Sequence, residues 1–179
     1  YSHPFRHALA TFLHGNPKNL RMRIPGYLTK SEGAMLYTFA SELPEGSIIV
    51  EIGTLYGRST AYLGLGALVS SSRVYAVDPF DSDVDRQRNE VDESKYLFDK
   101  DKRKPSKEEV AANLRTLGLS GTVELIQGFS VDAAREWDNW SVDFLWIDGN
   151  HTQARTDWNT WKPHLNKTAR VAFHDSHPV

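Results

Sequence analysis

At 179 residues, 40% of them apolar and 25% charged, the chain has the length of one ordinary domain and enough apolar side chains to bury a core. A formal charge of −2 leaves no basic excess to hold a nucleic-acid backbone, and the absence of cysteine excludes a disulfide scaffold, a thiolate zinc site, an iron–sulfur cluster and a cysteine nucleophile. The longest apolar run, residues 61–69, falls short of the roughly 20 residues a membrane helix needs, so a cytoplasmic protein that binds neither membrane nor nucleic acid is expected.

Residues 1–26 carry Pro4, Pro17, Pro25, Arg21 and Arg23 without a sustained apolar period and read as an N-terminal arm, with one domain over 27–179. Thr29 and Glu32 fit a capping box, and Met35, Leu36, Phe39 and Leu43 follow at helical spacing up to Pro44, which predicts a helix over 29–43. Ile48-Ile49-Val50-Glu51-Ile52 is a β-branched run of the kind buried on both faces of a parallel sheet. A helix over 57–69 and a strand over 74–77 come next, the strand stopped by Asp78-Pro79. In 81–104, fifteen of 24 residues are charged with acids and bases nearly balanced, so a surface insertion is expected there, ordering over a bound acceptor. Ser106 and Glu109 open a helix that carries Val110, Leu114 and Leu117 on one face and stops at Gly118. Strands over 123–126, 142–147 and 170–173 then alternate with helices over 130–137 and 153–164. Five strands alternating with helices specify an α/β fold: three layers, doubly wound, with a mostly parallel sheet. The chain starts at Tyr1 and stops just past its last strand, which reads as a piece of a longer protein.

Ligands of such sheets bind beyond the carboxyl ends of the strands, and the residues there are polar. Glu51-Ile52-Gly53-Thr54-Leu55-Tyr56-Gly57-Arg58-Ser59-Thr60 puts an acid before two glycines four apart at a helix start. It is either a cradle that lets a ligand approach the backbone closely or a plain tight turn. The middle glycine of GxGxxG is missing, which disfavours a nicotinamide-dependent oxidoreductase. Asp78 stands about twenty residues past Gly57, where nucleotide-binding folds of this kind place a carboxylate on ribose hydroxyls; the other reading is a turn or capping aspartate. Phe80 and Phe129 are candidates to wall a base, and Phe129 is equally open to core packing. Trp146, beside Asp148, is likewise open to core or substrate.

Residues 50–60, Ala76-Val77-Asp78-Pro79-Phe80, Gly128-Phe129-Ser130, Trp146-Ile147-Asp148-Gly149-Asn150-His151 and Phe173-His174-Asp175-Ser176-His177-Pro178 together resemble a class I S-adenosylmethionine-dependent methyltransferase. The narrower resemblance is to the bacterial branch of macrolide-sugar O-methyltransferases and cephalosporin-hydroxylase-like proteins. It implies a Rossmann-like methyltransferase fold, here without the two C-terminal antiparallel strands, and methyl transfer to the hydroxyl of a small-molecule acceptor. By that resemblance Glu51 and Gly53 lie under the methionine part of the cofactor, Ser59 near its carboxylate, Asp78 on the ribose and Ser130 beside the adenine, with Asp148 counted among the cofactor contacts. It also implies magnesium or manganese held by Asp148 and Asp175, and His151 as general base. His174 replaces an acid found in those relatives and is expected as a second base or a simple strand-end hydrogen-bonder. The open sheet edge would be covered by a partner, as in a homo-oligomer. A non-catalytic domain that kept only the cofactor slot is the rival reading.

Overall fold

The computed structural model describes residues 24–80, 104–138 and 141–174. Residues 1–23 of the arm, residues 81–103 of the charged insertion, Asp175 and His177 lie outside the described residues.

Strands β1 (Ile48–Ile52), β2 (Arg73–Asp78), β3 (Val123–Gln127), β4 (Val142–Ile147) and β5 (Leu165–Phe173) form one sheet in the order β3-β2-β1-β4-β5, with every pairing parallel. The chain winds outward from β1 to β3, then returns to the other side of β1, so the winding reverses between β1 and β4. Helices α1 (Lys30–Ser41), α2 (Arg58–Ser70), α3 (Lys107–Arg115), α4 (Ser130–Arg135) and α5 (Ala154–Trp161) cover the sheet. Both capping boxes form: Thr29 and Ser106 each accept from the third backbone N–H of their helix, while Glu32 and Glu109 reach back to the cap.

The β-branched runs are continuous because alternate residues enter two different cores. Ile49, Val74, Phe144 and Trp146 pack with Leu36, Tyr62, Leu63 and Leu114 on the side of α1–α3; Val50, Tyr75, Val77, Leu145 and Ile147 pack with Ala133, Ala134 and Trp161 on the side of α4 and α5. Helices α1 and α2 cross closely. A Cβ on Gly33 would stand 2.3 Å from the Tyr62 ring, and one on Gly66 would stand 2.5 Å from the Tyr37 carbonyl oxygen. Neither contact is legible in the sequence, since each glycine meets a partner more than 25 residues away.

Several boundaries differ from expectation. Strand β5 begins at Leu165, five residues before the predicted start, because it stands at the sheet edge, where Asn166, Lys167 and Thr168 remain exposed and leave no apolar run. Its register against β4 jumps between Val142↔Leu165 and Phe144↔Arg170, a bulge that takes up the extra residues. The helix predicted over 153–164 is α-helical only to Trp161, and Pro163 sits in the 3₁₀ turn Lys162–His164 that follows. Helix α4 ends at Arg135, two residues before the predicted limit.

Candidate active site

At the switch between β1 and β4, the carboxyl ends of β1, β2, β4 and β5 carry the polar residues. Backbone bonds continue past the strand ends: Gly53 N–H donates to Val77 C=O at 2.9 Å, Asp148 N–H to Ile52 C=O at 2.8 Å and His174 N–H to Ile147 C=O at 3.0 Å. The loops are thus held against one another as extensions of the sheet.

Glu51 is fully buried and points toward α2, where the Thr60 hydroxyl donates to its Oε2 and the Ser59 hydroxyl also bonds to it. Its Oε1 meets no partner. Burial pushes this carboxyl up to about 8, and the Asp148 and Asp78 charges add to the rise while the Ser59 and Thr60 hydrogen bonds oppose it. Thr54 Oγ1 and Trp146 Nε1, both buried, also lack partners. Buried polar atoms are ordinarily satisfied, so three orphans around one sheet edge mark a place built for a polar guest.

The loop after β1 places Gly53 at φ +88°, Leu55 at +46° and Gly57 at +88°. A Cβ on Gly53 would stand 2.5 Å from the Asp148 carbonyl oxygen, so the neighbour this glycine admits is the backbone of the β4 loop. Asp78 secures the turn from the other side. Its Oδ2 accepts from Thr54 N–H at 2.8 Å and Leu55 N–H at 3.3 Å, and its Oδ1 accepts from Phe80 N–H at 2.6 Å. Lys104 Nζ lies 3.4 Å from the same Oδ1. The turn-holding role read as an alternative for Asp78 is therefore present, at the position expected of a ribose acceptor.

At the end of β4, Asp148 Oδ1 lies 3.0 Å from His174 Nδ1, and His174 Nε2 lies 3.5 Å from Glu32 Oε1. The Thr29 N–H and hydroxyl both donate to the other oxygen, Glu32 Oε2, at 2.7 Å. Burial opposes ionisation of Glu32, but the Thr29 hydrogen bonds and the His174 charge prevail and hold it below the ordinary glutamate range. Trp146 is core, and its ring meets the His174 ring edge-on at 5.8 Å between centroids. The sequence marks Glu32 only as a capping residue; its second role needs α1 beside the end of β5, a relationship across more than 140 residues.

His151 opens the 3₁₀ turn His151–Gln153 directly after the β4 loop, preceded by Asn150, whose Oδ1 accepts from the Thr152 N–H and hydroxyl. Ser130 starts α4, where its Oγ accepts from Trp161 Nε1 at 2.9 Å and its side chain bonds to Asp157. Asp157, which the sequence reading passed over, is buried beneath the β4 loop, and burial pushes its carboxyl up against the opposing Ser130 bond. Its Oδ2 lies 3.8 Å from where a Gly149 Cβ would stand. Phe80 is fully buried in the core, Phe129 half-buried before α4.

Among the described residues no group of three or more His, Asp or Glu could hold a metal ion. Asp148 and Glu32 are both turned on the His174 imidazole, so the described donors do not make a cation site, and the Asp148–Asp175 pair lies partly outside them. No helix among the described residues is long and apolar enough to cross a membrane.

A family model described as a methyltransferase domain matches residues 50–176, from β1 past the end of β5. Among solved structures, the chain is similar to cofactor-bound Rv0187 from MTB, with 19% identity, 93% of this chain and 69% of that one covered, and a TM-score of 0.63. It is also similar to the O-methyltransferase TomG from Streptomyces achromogenes in complex with SAM, with 18% identity, 100% and 72% covered, and a TM-score of 0.62. A third is the O-methyltransferase from Bacillus cereus in complex with SAH, with 17% identity, 92% and 71% covered, and a TM-score of 0.58. The chain spans between 69% and 72% of the length of these three solved structures.

Proposed function

The chain belongs to the methyltransferase-domain family, and from that premise we propose that it binds S-adenosylmethionine across the carboxyl ends of β1, β2 and β4 and methylates a hydroxyl oxygen of a small molecule. The observation that carries this reading is the unpartnered Oε1 of buried Glu51 beside the left-handed loop after β1. A buried carboxyl with one idle oxygen suits the ammonium of an amino-acid ligand, which would ionise it and replace the water it has lost. Asp78 then accepts from ribose hydroxyls while keeping its backbone N–H bonds. In this reading Ser59 serves the cofactor's carboxylate and Ser130 its adenine, while Asp148 closes the slot from β4. Two structural neighbours named as O-methyltransferases support oxygen as the atom methylated.

When bound, the cofactor supplies an electrophilic methyl on a sulfonium. The chain must orient the acceptor in line with it and take the acceptor's proton. His151, at the start of the turn after β4, is the base in this reading. His174, held by Asp148 at one nitrogen and facing Glu32 with the other, fixes the Asp148 side chain. The reading assigns proton removal to His151.

Calorimetric titration with S-adenosylhomocysteine and, separately, with NADH tests the cofactor. Binding of the first alone is expected; binding of NADH alone would overturn the reading. Methyl transfer from labelled S-adenosylmethionine to a panel of sugars and phenols then tests the acceptor class, and transfer only to nitrogen or carbon would remove the hydroxyl assignment.

A further inference from the structure

Resting on the assignment of Asp78 to a ribose, we infer that Lys104 is an internal competitor for the cofactor: its ammonium holds the acceptor position on Asp78 that the ribose must take, and binding releases it. The acceptor sites of Asp78 are nearly all engaged. Oδ2 receives two backbone N–H groups, from Thr54 and Leu55, and Oδ1 receives the Phe80 N–H. A carboxylate offers about four lone-pair directions. The remaining one, on Oδ1, faces Lys104 Nζ at 3.4 Å.

Three backbone donors already anchor this carboxylate, so the lysine is not what holds Asp78 in place. Its cost is nevertheless plain. Only 16% of the Lys104 side chain and 7% of that of Asp78 are exposed, so the contact is made largely out of water. Loss of the contact frees that one acceptor direction on Oδ1, which makes the exchange for a ribose hydroxyl feasible. Phe80 and Lys104 flank the charged stretch 81–103, and both bind the same Oδ1. A ribose that displaces Lys104 leaves the Phe80 bond intact, so the exchange is confined to the lysine.

The test uses the whole chain and S-adenosylhomocysteine as probe. Calorimetry on Lys104→Met is expected to show affinity about two- to fivefold tighter than wild type, the scale of a partly exposed ion pair. Lys104→Arg, which keeps the charge and offers a forked donor, should bind no tighter than wild type. Acetylation of Lys104 by a lysine-selective reagent, read by mass spectrometry, should rise when the ligand is added. Unchanged affinity in Lys104→Met, or Lys104 protected equally well with ligand present, would overturn the competitor role while leaving the cofactor reading standing. A weaker Lys104→Met would also overturn it, by showing that the ammonium contacts the ligand. Wild type that binds no S-adenosylhomocysteine at all sinks the cofactor reading itself, and this inference with it.

Discussion

Glu51 and Trp146 are register partners across the β1–β4 pair, and each carries a buried polar atom, Oε1 and Nε1, without a hydrogen-bond partner. Partners in a parallel pair present their side chains on the same face, so both orphans belong to the α1–α2 side of the switch point. Two polar atoms left idle on adjacent strands are costly for a folded domain unless a polar guest satisfies them.

Glu51 ties stability to pH. Its folded carboxyl titrates at about 8 against an ordinary 4.5, so between these values the folded chain holds a proton that the unfolded chain has lost. Stability from this group is whole below the ordinary value and is lost as pH rises through the folded one. Urea midpoints at pH near 5, 7 and 9 should therefore fall with pH for wild type and fall less for Glu51→Gln. The same variant should bind S-adenosylhomocysteine more weakly, because an amide cannot ionise against an ammonium.

Wild-type binding should also release protons. Near neutral pH the empty site holds Glu51 protonated, and a cationic ligand group favours the ionised form. Calorimetric enthalpies in two buffers of different ionisation heat would reveal the release, and identical enthalpies in both would count against an ammonium at Glu51.

Gly53→Ala should be among the most damaging single changes. It forces an L-residue to φ +88° and drives a methyl to within 2.5 Å of the Asp148 carbonyl oxygen, a backbone atom that cannot swing aside. A loss of about 2–4 kcal/mol is expected by urea unfolding. Gly46→Ala has a similar φ of +81° but meets open space, so it should cost only about 1 kcal/mol. Equal effects would show that backbone conformation alone, and not the contact between the β1 and β4 loops, demands glycine at 53.

Glu32 reports on His174. Its carboxyl is held low despite partial burial, by Thr29 and by the imidazole. The stability it contributes is present above the ordinary glutamate value and is lost as pH falls through the depressed one. In His174→Asn the Thr29 bonds persist while the charge is gone, so the Glu32 carboxyl, followed by carbon NMR, should titrate at higher pH than in wild type. No movement would mean that the 3.5 Å contact carries no electrostatic weight.

Local physics made much of this chain legible in advance. Capping boxes at Thr29 and Ser106, the β-branched run at 48–52, the largely apolar strand at 142–147, and prolines at 44 and 79 are signals written within a few residues, because caps, pleats and missing N–H groups act over that range. The order of polar strand ends, Glu51 then Asp78 then Asp148 then His174, was readable too, since a parallel sheet brings successive carboxyl ends to one edge whatever lies between. Tertiary structure alone decided what each of these residues touches. Asp78 closes the β1 loop because β2 lies beside β1; His174 joins Asp148 to Glu32 because α1 packs near the end of β5; Gly33 and Gly66 matter because two helices cross there. Each such contact links residues 20 to more than 140 positions apart. No sequence period encodes a distance of that kind, because chain separation says nothing about space until the sheet order is set.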